Sequence, residues 1–502
     1  MSDEPGGDGG LIGYTIGEAN TTQVSFISKR PPVLGQYVVM EYAEKKVLGM
    51  VQSVIRGSIS FSDSLVSPEA VEKIKEVSGN EDHYIKGTIK ILGDVERGEM
   101  PRIPPPPATE VRRAGNDVLR SIFSRREAGV RIGVLVSHPE VPVYLDVNKM
   151  VTRHLAILAI TGAGKSNAVA VIADGIAKLG GSVIIFDMHS EYVDMGGVNV
   201  IRPIINYVND ADLAELLRLM NVDEGAYKQA YYFRKAYGEL KGLVFKGSLD
   251  PEKFLDGLKT KLADYAEQKS FSKDRGSIFS VINKIEDMEE RYGSILSPRA
   301  PSVLSSVKLG RINVVDLGGI DEEGADVIVS HYLKTLLKER KKYYGSGGKE
   351  GLKFPVFVVL EEAHILAPKD RRTLSKYWIS RVAREGRKFG VGLCLVSQRP
   401  KALDADALSQ TNNKIVLKLV EPSDQRYVQQ ASELMSEDLV SQLPSLNIGE
   451  AIVLGLMVKF PALVKIDLKK VSGREDVVAE WRRAKREEED VDKEFNDLHE
   501  DW

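Results

Sequence analysis

"LAILAITGAGKSN", residues 155–167, reads as a buried strand, a glycine-rich turn and the first residues of a helix. The turn matches the end of the phosphate-loop pattern G-x-x-x-x-G-K-[ST], although Ala159 stands where the first glycine is usual. That position lies at the strand exit and need not contact phosphate, so alanine is tolerable there. A chance glycine turn is the alternative, but the strand before it and the helix after it favour a nucleotide site.

The phosphate loop predicts an ATP site with Mg²⁺. Gly162 and Gly164 let the backbone curl so that amide groups point at the phosphates, at the positive end of the helix. Lys165 would reach the β- and γ-phosphates, and the Ser166 hydroxyl would hold Mg²⁺. The residues predicted to bind the nucleotide are Thr161, Gly162, Ala163, Gly164, Lys165, Ser166 and Asn167.

A second buried strand, "FPVFVVLEEAH", ends in two acids, Glu361 and Glu362. Ligands gather at the carboxyl ends of strands in open α/β sheets. Glu361 is the candidate that steadies the Mg²⁺ shell through water, and Glu362 is the candidate base that polarises the attacking water. A solvated strand end is the alternative for two acids alone; the upstream loop favours the catalytic interpretation.

The next strand, "VGLCLVSQRP", ends in Gln398. A polar residue at the tip of the neighbouring strand can sense the γ-phosphate and the attacking water. The alternative is an amide that only caps the loop.

A basic run, "SKYWISRVAREGRKFG", lies between these two strands. A solvated helical face is its default interpretation. A guanidinium on the γ-phosphate, often supplied by a neighbouring subunit, would however speed phosphoryl transfer, and it would require a ring of subunits. The candidates are Arg381, Arg384 and Arg387, followed by Lys388.

Asp187, His189 and Glu191 follow the strand "VIIFDM". A metal site is conceivable there, but one His with two acids at a strand exit is more typical of a hydrogen-bonded turn. We therefore favour a wall of the active site or a subunit contact over a set of metal ligands.

Composition and charge narrow the class of protein. The 502 residues are 43% hydrophobic and 28% charged, as in soluble globular proteins. The single cysteine, Cys394, indicates the cytoplasm. The longest apolar stretch, residues 451–464, is too short for a bilayer and contains Lys459 and Pro461, so no membrane association is expected. The net charge of −3 means that any DNA-binding surface must be local.

Changes in pattern divide the chain, and alternating long strands and helices predict an α/β core with a mainly parallel sheet. The predicted parts are a disordered tip (1–10), an N-terminal β-barrel (11–100), a proline-rich connector with strands (101–150), a first part of the core (151–202), a helical insertion (203–300), a second part of the core (301–472) and a charged helical brace (473–502). The brace has an apolar face that either folds back on its own domain or clasps a neighbouring subunit: Val491, Phe495, Leu498 and Trp502.

Five motifs together resemble the archaeal HerA DNA translocases, within the HerA/FtsK group of motor ATPases. They are "VTRHLAILAITGAGKSN", "VIIFDMHSEY", "VVLEEAH", "ISRVAREGRKFGVGLCLVSQRP" and "LSQTNNKIVLKLVEPSDQ". The order of a HAS-type barrel, a RecA-like P-loop core, a helical insertion and a C-terminal brace also fits that family. The resemblance covers nearly the whole chain and is most specific in the core.

Membership would imply a homo-hexameric ring that threads double-stranded DNA through a central channel at the expense of ATP. It would also imply a NurA-type nuclease as partner in the resection of DNA ends for recombination. By the resemblance, Lys165 and Ser166 bind nucleotide and Mg²⁺, Gln398 is the sensor, and Arg381 stands first among the candidate trans fingers. Loop residues past the acidic strand end are candidates for the channel wall, or else ordinary surface: Lys369, Arg371 and Arg372.

Two other functions stay open at this point. A ring ATPase could move protein or serve a conjugation or secretion system. A nucleotide-gated scaffold that hydrolyses ATP slowly is the second alternative, although such a switch would not need a catalytic base at Glu362.

Overall fold

The structure is a computed structural model that describes residues 9–61, 65, 67–78, 83–124, 127–432, 434–469, 471, 478, 481–483 and 485. Nearly all of the predicted brace, including its apolar face, lies outside the described residues. The elements follow the chain in this order: β1 (Leu11–Ala19), β2 (Gln23–Ser28), β3 (Tyr37–Tyr42), β4 (Lys45–Ser58), α1 (Pro68–Ser78), β5 (His83–Asp94), β6 (Glu110–Arg113), α2 (Asn116–Phe123), β7 (Gly129–Leu135), β8 (His138–Asp146), α3 (Val147–Arg153), β9 (Leu155–Leu158), α4 (Lys165–Lys178), β10 (Ser182–Asp187), β11 (Asn199–Ile201), β12 (Ile205–Asn206), α5 (Leu213–Leu219), α6 (Tyr227–Phe245), α7 (Phe254–Glu267), α8 (Arg275–Tyr292), β13 (Leu296–Ser297), β14 (Ile312–Asp316), α9 (Glu322–Gly345), β15 (Val356–Leu360), α10 (Ala363–Leu366), α11 (Leu374–Glu385), β16 (Val391–Ser397), α12 (Ala405–Ser409), β17 (Asn413–Val416), α13 (Pro422–Gln430), α14 (Glu437–Gln442), β18 (Glu450–Leu454) and β19 (Ala462–Ile466).

The N-terminal unit is a closed barrel of six strands in the order β1-β2-β5-β4-β3-β6. Its interior is filled by alternate residues of the strands, such as Phe26, Met40 and Ile89, which are fully buried. Closure leaves the barrel with no unpaired strand edge. The predicted small barrel is confirmed.

The barrel continues beyond residue 100, where the sequence pattern had placed its end. Its sixth strand, β6, pairs with both β1 and β3 and so closes the barrel. The proline-rich segment before it, residues 101–109, lies against the barrel and is called the proline strap. Thr15 Oγ1 donates a hydrogen bond to the Pro106 carbonyl of this segment at 2.7 Å. Prolines lack the N–H that a strand ladder uses, so the alternating pattern breaks just before β6.

The core is built on an eleven-stranded sheet in the order β11-β14-β10-β15-β16-β9-β17-β18-β19-β7-β8. The strands from β11 to β17 are parallel, and the remaining four pair antiparallel. The four core strands predicted from "LAILAI", "VIIFDM", "FPVFVVL" and "VGLCLVS" lie side by side in the parallel part, which confirms the α/β class. β7 and β8, which the sequence assigned to the connector, belong to this sheet.

Four helices, α5 to α8, occupy most of the segment predicted as a helical insertion. They pack around buried aromatic side chains such as Phe233, Phe254 and Tyr265. Two short strands at the ends of the segment, β12 and β13, pair in parallel and were not predicted, since two residues carry no periodic pattern.

The barrel is fastened to the core by polar contacts. Tyr37 Oη donates to the Pro461 carbonyl at 2.9 Å, and Gln52 Nε2 donates to Asp438 Oδ2 at 2.6 Å. Both lie on strands of the barrel that face the antiparallel half of the core.

In the described part of the chain, no helix has both the length and the apolar character required to cross a bilayer.

Candidate active site

The phosphate loop lies at the carboxyl edge of the parallel strands, between β9 and α4. Gly162 and Gly164 have φ angles of 76° and 106°, a left-handed conformation that strains any residue with a β-carbon. Gly164 caps α4, which begins at Lys165. The sequence placed both the glycines and the helix start correctly, because this turn can be made by few other residues.

Lys165 meets the acidic end of β15. Its Nζ lies 3.9 Å from Oε1 of Glu362, and both side chains are largely buried. Glu362 itself has φ and ψ of 45°, a left-handed conformation that costs a non-glycine residue about 1–3 kcal/mol. The strained backbone turns the Glu362 carboxylate toward the phosphate loop.

One oxygen of Glu362 has no partner. Oε2 is buried and accepts no hydrogen bond from the described residues, although His364 Nδ1 lies 3.2 Å away. Burial lowers the pKa of His364, which favours its neutral form. The free carboxylate oxygen is thus available to a water or ligand.

Glu361 is held by a tyrosine that the sequence did not single out. Tyr192 is fully buried and its hydroxyl donates a short hydrogen bond to Glu361 Oε1. Burial raises the pKa of Glu361 to about 7, while the Tyr192 hydrogen bond and the charge of Lys165 oppose this shift.

The hydroxyl of Ser166 donates a short hydrogen bond to Oε2 of Glu191. The sequence placed Glu191 on the wall of the site but did not connect it to the loop. The available signal was its position four residues past the end of β10, since β10 ends at the same edge of the sheet as β9.

Asp187 and His189 do not form a metal site with Glu191. The Asp187 carboxylate accepts the backbone N–H groups of His189, Glu191 and Tyr192 at 3.3, 3.0 and 2.8 Å, and the His189 side chain is exposed. The predicted hydrogen-bonded turn is what the structure contains.

The donor set fits Mg²⁺ bound with a nucleotide. Within the described residues, no three His, Cys, Asp or Glu side chains are arranged to enclose a metal ion. Mg²⁺ keeps several waters and is commonly held by one or two protein groups plus substrate phosphates. Ser166 and Glu361 suit such a shell, and Lys165 suits the phosphates.

Gln398 lies against the phosphate loop. Because β16 lies between β15 and β9 in the sheet, its end is adjacent to both halves of the site. Thr161 Oγ1 donates to Gln398 Oε1 at 2.5 Å. The structure therefore places the predicted sensor, Gln398, in contact with the phosphate loop. The contact is made by Thr161, which was predicted only to bind nucleotide.

The side chain of Asn167 does not face the phosphate loop. Its Nδ2 donates to the Asp467 carbonyl at 2.9 Å, and its Oδ1 accepts the Lys469 N–H at 2.7 Å. Both groups belong to the segment that leaves β19, which packs alongside α4. The side-chain amide is thus occupied on both sides, and the nucleotide binding predicted for Asn167 stays a prediction that only its backbone would fulfil.

The candidate arginines lie away from the phosphate loop of their own chain. α11 runs from the carboxyl edge to the amino edge of the sheet, where β16 begins. Arg381 pairs with Glu385 at 3.0 Å and covers the ring of Trp378, Arg384 is exposed and bonds the Ser380 carbonyl, and Arg387 is exposed.

The basic loop between α10 and α11 is exposed. Arg371 pairs with Glu322 at 2.6 Å, and Arg372 lies 3.9 Å from Glu224. Lys369 is anchored through its backbone N–H, which donates to the Ala402 carbonyl.

Three family models match the chain. The model for the central domain of helicase HerA matches residues 130–336, the HAS barrel domain matches residues 12–97, and the helicase HerA-like C-terminal model matches residues 332–498.

Curated relatives match over almost the full length. A protein described as "Probable helicase" from Methanocaldococcus jannaschii is 43% identical over 479 residues, which cover 92% of this chain and 91% of the relative. The DNA double-strand break repair helicase HerA of Saccharolobus solfataricus is 41% identical over 507 residues, which cover 97% and 99%. Among solved structures, VirB4 of Thermoanaerobacter pseudethanolicus superposes with a TM-score of 0.51 at 16% identity, covering 69% of this chain and 98% of VirB4, a likeness of fold alone.

The raised pKa of Glu361 predicts a specific pH dependence of stability. In the folded chain this carboxyl keeps its proton up to a pH of about 7, whereas its ordinary pKa is 4.5. Its contribution to the free energy of unfolding is therefore complete below pH 4.5 and falls, by about 3 kcal/mol in all, as the pH rises through about 7.

The measurement is urea unfolding of the nucleotide-free protein between pH 4.5 and 8, for the wild type and for Glu361→Gln. The glutamine cannot ionise, so the stability of the wild type relative to the variant should decrease across this range. A difference that does not change with pH would contradict the assignment.

Proposed function

The chain belongs to the HerA helicase family, and on that basis we propose that it is an ATP-hydrolysing motor that moves along or unwinds double-stranded DNA during the repair of breaks. The observation that carries the proposal is the meeting of Lys165 with Glu362, whose second carboxylate oxygen is buried and accepts no hydrogen bond from the described residues. A protein that only bound nucleotide would have no use for such a strained carboxylate beside the phosphate loop.

Each residue of the site has a proposed part in hydrolysis. Lys165 and the loop amides bind the β- and γ-phosphates. Glu362, through its free oxygen, orients the attacking water and accepts its proton. Gln398 senses whether a γ-phosphate is bound, and it contacts the phosphate loop through its hydrogen bond with Thr161. Mg²⁺, when bound beside Ser166 and Glu361, neutralises charge that develops on the phosphate oxygens.

We propose that the site is completed by a neighbouring subunit in a hexameric ring. Arg381 and Arg384 lie in the second half of α11 and Arg387 lies in the turn after it, toward the amino edge of the sheet, whereas the phosphate loop is at the carboxyl edge. A strand spans roughly 3.3 Å per residue, so the seven residues of β16 put about 20 Å between the two edges. Packing one subunit's amino edge against the next subunit's carboxyl edge would bring them within reach.

We propose that DNA contacts the basic loop containing Lys369, Arg371 and Arg372. Contacts of these side chains would be with phosphates, which gives binding that is independent of sequence and sensitive to salt. The ion pairs that Arg371 and Arg372 make with Glu322 and Glu224 are on the surface and are worth little, so DNA phosphates could replace the acids. A cytoplasmic location follows from DNA as the substrate.

We propose that the barrel binds a NurA-type nuclease. β4 and the residue after it carry large apolar side chains that are strongly exposed, Ile55 at 62% and Ile59 at 81%. They lie beyond the part of β4 that fastens the barrel to the core through Gln52. Exposed apolar side chains near one another are typical of surfaces that bind a partner.

The first test is steady-state ATP hydrolysis, alone and with blunt duplex DNA, single-stranded DNA or an unfolded protein. Duplex DNA should stimulate turnover, and the stimulation should fall as salt is raised. Lys165→Ala should abolish turnover by weakening nucleotide binding. Glu362→Gln should abolish turnover while ATP binding persists, which a fluorescent ATP analogue would measure. Stimulation by the unfolded protein and not by DNA would instead support a motor that moves protein.

Mixed rings test whether a finger acts between subunits. Arg381→Ala, Arg384→Ala and Arg387→Ala are each co-expressed with Lys165→Ala, and ATP hydrolysis of the purified rings is measured. If one arginine is the finger, its alanine variant and Lys165→Ala should each be inactive alone. In rings that mix the two variants, about a quarter of the interfaces should combine an intact loop with an intact arginine and regain activity.

The other two arginine variants serve as matched controls, since they remove the same charge from α11 or from the turn that follows it. If an arginine variant is inactive alone and no activity returns on mixing, the finger does not act in trans.

Barrel variants test the nuclease surface. The double variant Ile55→Glu, Ile59→Glu should lose co-purification with a co-expressed NurA-type nuclease, because two charges are placed in the apolar contact, while its sedimentation coefficient stays that of the wild type. Ile103→Glu, at an equally exposed position on the proline strap, is the control. Nuclease binding by the double variant would contradict the proposed surface.

A further inference from the structure

The turn after β10, residues 188–192, contacts both halves of the active site. Glu191 accepts the hydroxyl proton of Ser166 in the phosphate loop. The next residue, Tyr192, donates its hydroxyl proton to Glu361 at the end of β15. Two adjacent side chains therefore hold the two groups that suit a nucleotide-bound cation.

The turn is fixed by hydrogen bonds of its own. The Asp187 carboxylate accepts three backbone N–H groups of the turn, the closest being that of Tyr192 at 2.8 Å. Ser190, in a left-handed conformation with a φ of 54°, donates its hydroxyl to Asp316 Oδ1 at 2.7 Å. Asp316 ends β14, so the turn is attached to two strands of the sheet.

The direction of each hydrogen bond determines which oxygen lone pairs remain available to bind a cation. A hydroxyl has one proton and two lone pairs, so donation to Glu191 uses the proton of Ser166 and neither lone pair of its oxygen, which lies beside the Tyr192 hydroxyl. Likewise, Tyr192 occupies Oε1 of Glu361, and no hydrogen bond to Oε2 of Glu361 competes with it among the contacts of the described residues. Both oxygens are presented with a defined orientation before a ligand arrives.

We propose that Glu191 and Tyr192 are positioning residues for a divalent cation bound with the nucleotide phosphates: Glu191 orients the hydroxyl of Ser166, and Tyr192 orients the carboxylate of Glu361. The proposal rests on the nucleotide binding proposed above, and it does not depend on DNA. Partners of metal ligands typically change metal affinity by about 10–100-fold when they are removed.

The test measures cation-dependent nucleotide binding and not turnover. The dissociation constant of fluorescent ADP is determined for the full-length protein with Mg²⁺ and with EDTA, and the ratio of the two constants is the cation effect. Glu191→Ala and Tyr192→Phe should each reduce this effect by about 10-fold and leave binding in EDTA unchanged. His189→Ala, an exposed side chain on the same turn, should retain the wild-type ratio.

Two further variants separate orientation from charge. Glu191→Gln keeps an oxygen that can accept the Ser166 proton, so it should retain most of the cation effect that Glu191→Ala loses. In a Ser166→Ala background, Glu191→Ala should cause no additional loss, since the residue it orients is absent. In a Glu361→Gln background, Tyr192→Phe should likewise be neutral.

Defined results would overturn the proposal. A wild-type ratio in both Glu191→Ala and Tyr192→Phe would show that neither residue positions a ligand. Equal losses in Glu191→Gln and Glu191→Ala, or a full loss in the Ser166→Ala background, would mean that Glu191 acts by its charge on the cation. If the wild type itself bound no nucleotide, the proposed function would fail instead. Thermal unfolding of each variant confirms that it is folded.

Discussion

The carboxyl ends of parallel strands lie at one edge of a sheet, and the position of every group of the site depends on this constraint. β9 supplies the phosphate loop, β10 the turn of Glu191 and Tyr192, β15 the two acids, and β16 Gln398. Residues separated by more than two hundred positions, such as Thr161 and Gln398, are thereby brought into hydrogen-bonding contact. The sheet order β10-β15-β16-β9 is what makes the site compact.

The same sheet geometry separates the candidate arginines from the phosphate loop. α11 returns from the carboxyl edge to begin β16, so its last turns necessarily lie at the opposite edge. Arg384, in the last turn of α11, and Arg387, in the turn that follows, therefore lie toward the amino edge of the sheet. The proposed contact between subunits rests on this separation from the phosphate loop.

Much of the fold and part of the site could be predicted from the sequence because their signals are local. The buried strands of the core are continuous apolar runs, and the turn at Gly162 and Gly164 has few alternatives. β6 was missed because the prolines before it interrupt the pattern. The partners of Ser166 and Glu361 were missed for a different reason: Glu191 and Tyr192 acquire their roles only through the pairing of β10 with its neighbours, which one sequence without its strand order does not specify.

Asn167 connects α4, the helix that begins at the phosphate loop, to the segment that follows β19. Its amide bonds both flanks of Leu468, in the segment through which the chain leaves the sheet toward its C-terminal residues. Because Asn167 is two residues past Lys165, two hydrogen bonds attach the first turn of α4 to this exit segment. The helix that begins at the phosphate loop and the segment that follows β19 therefore share one point of attachment, and a displacement of either would strain the same two bonds.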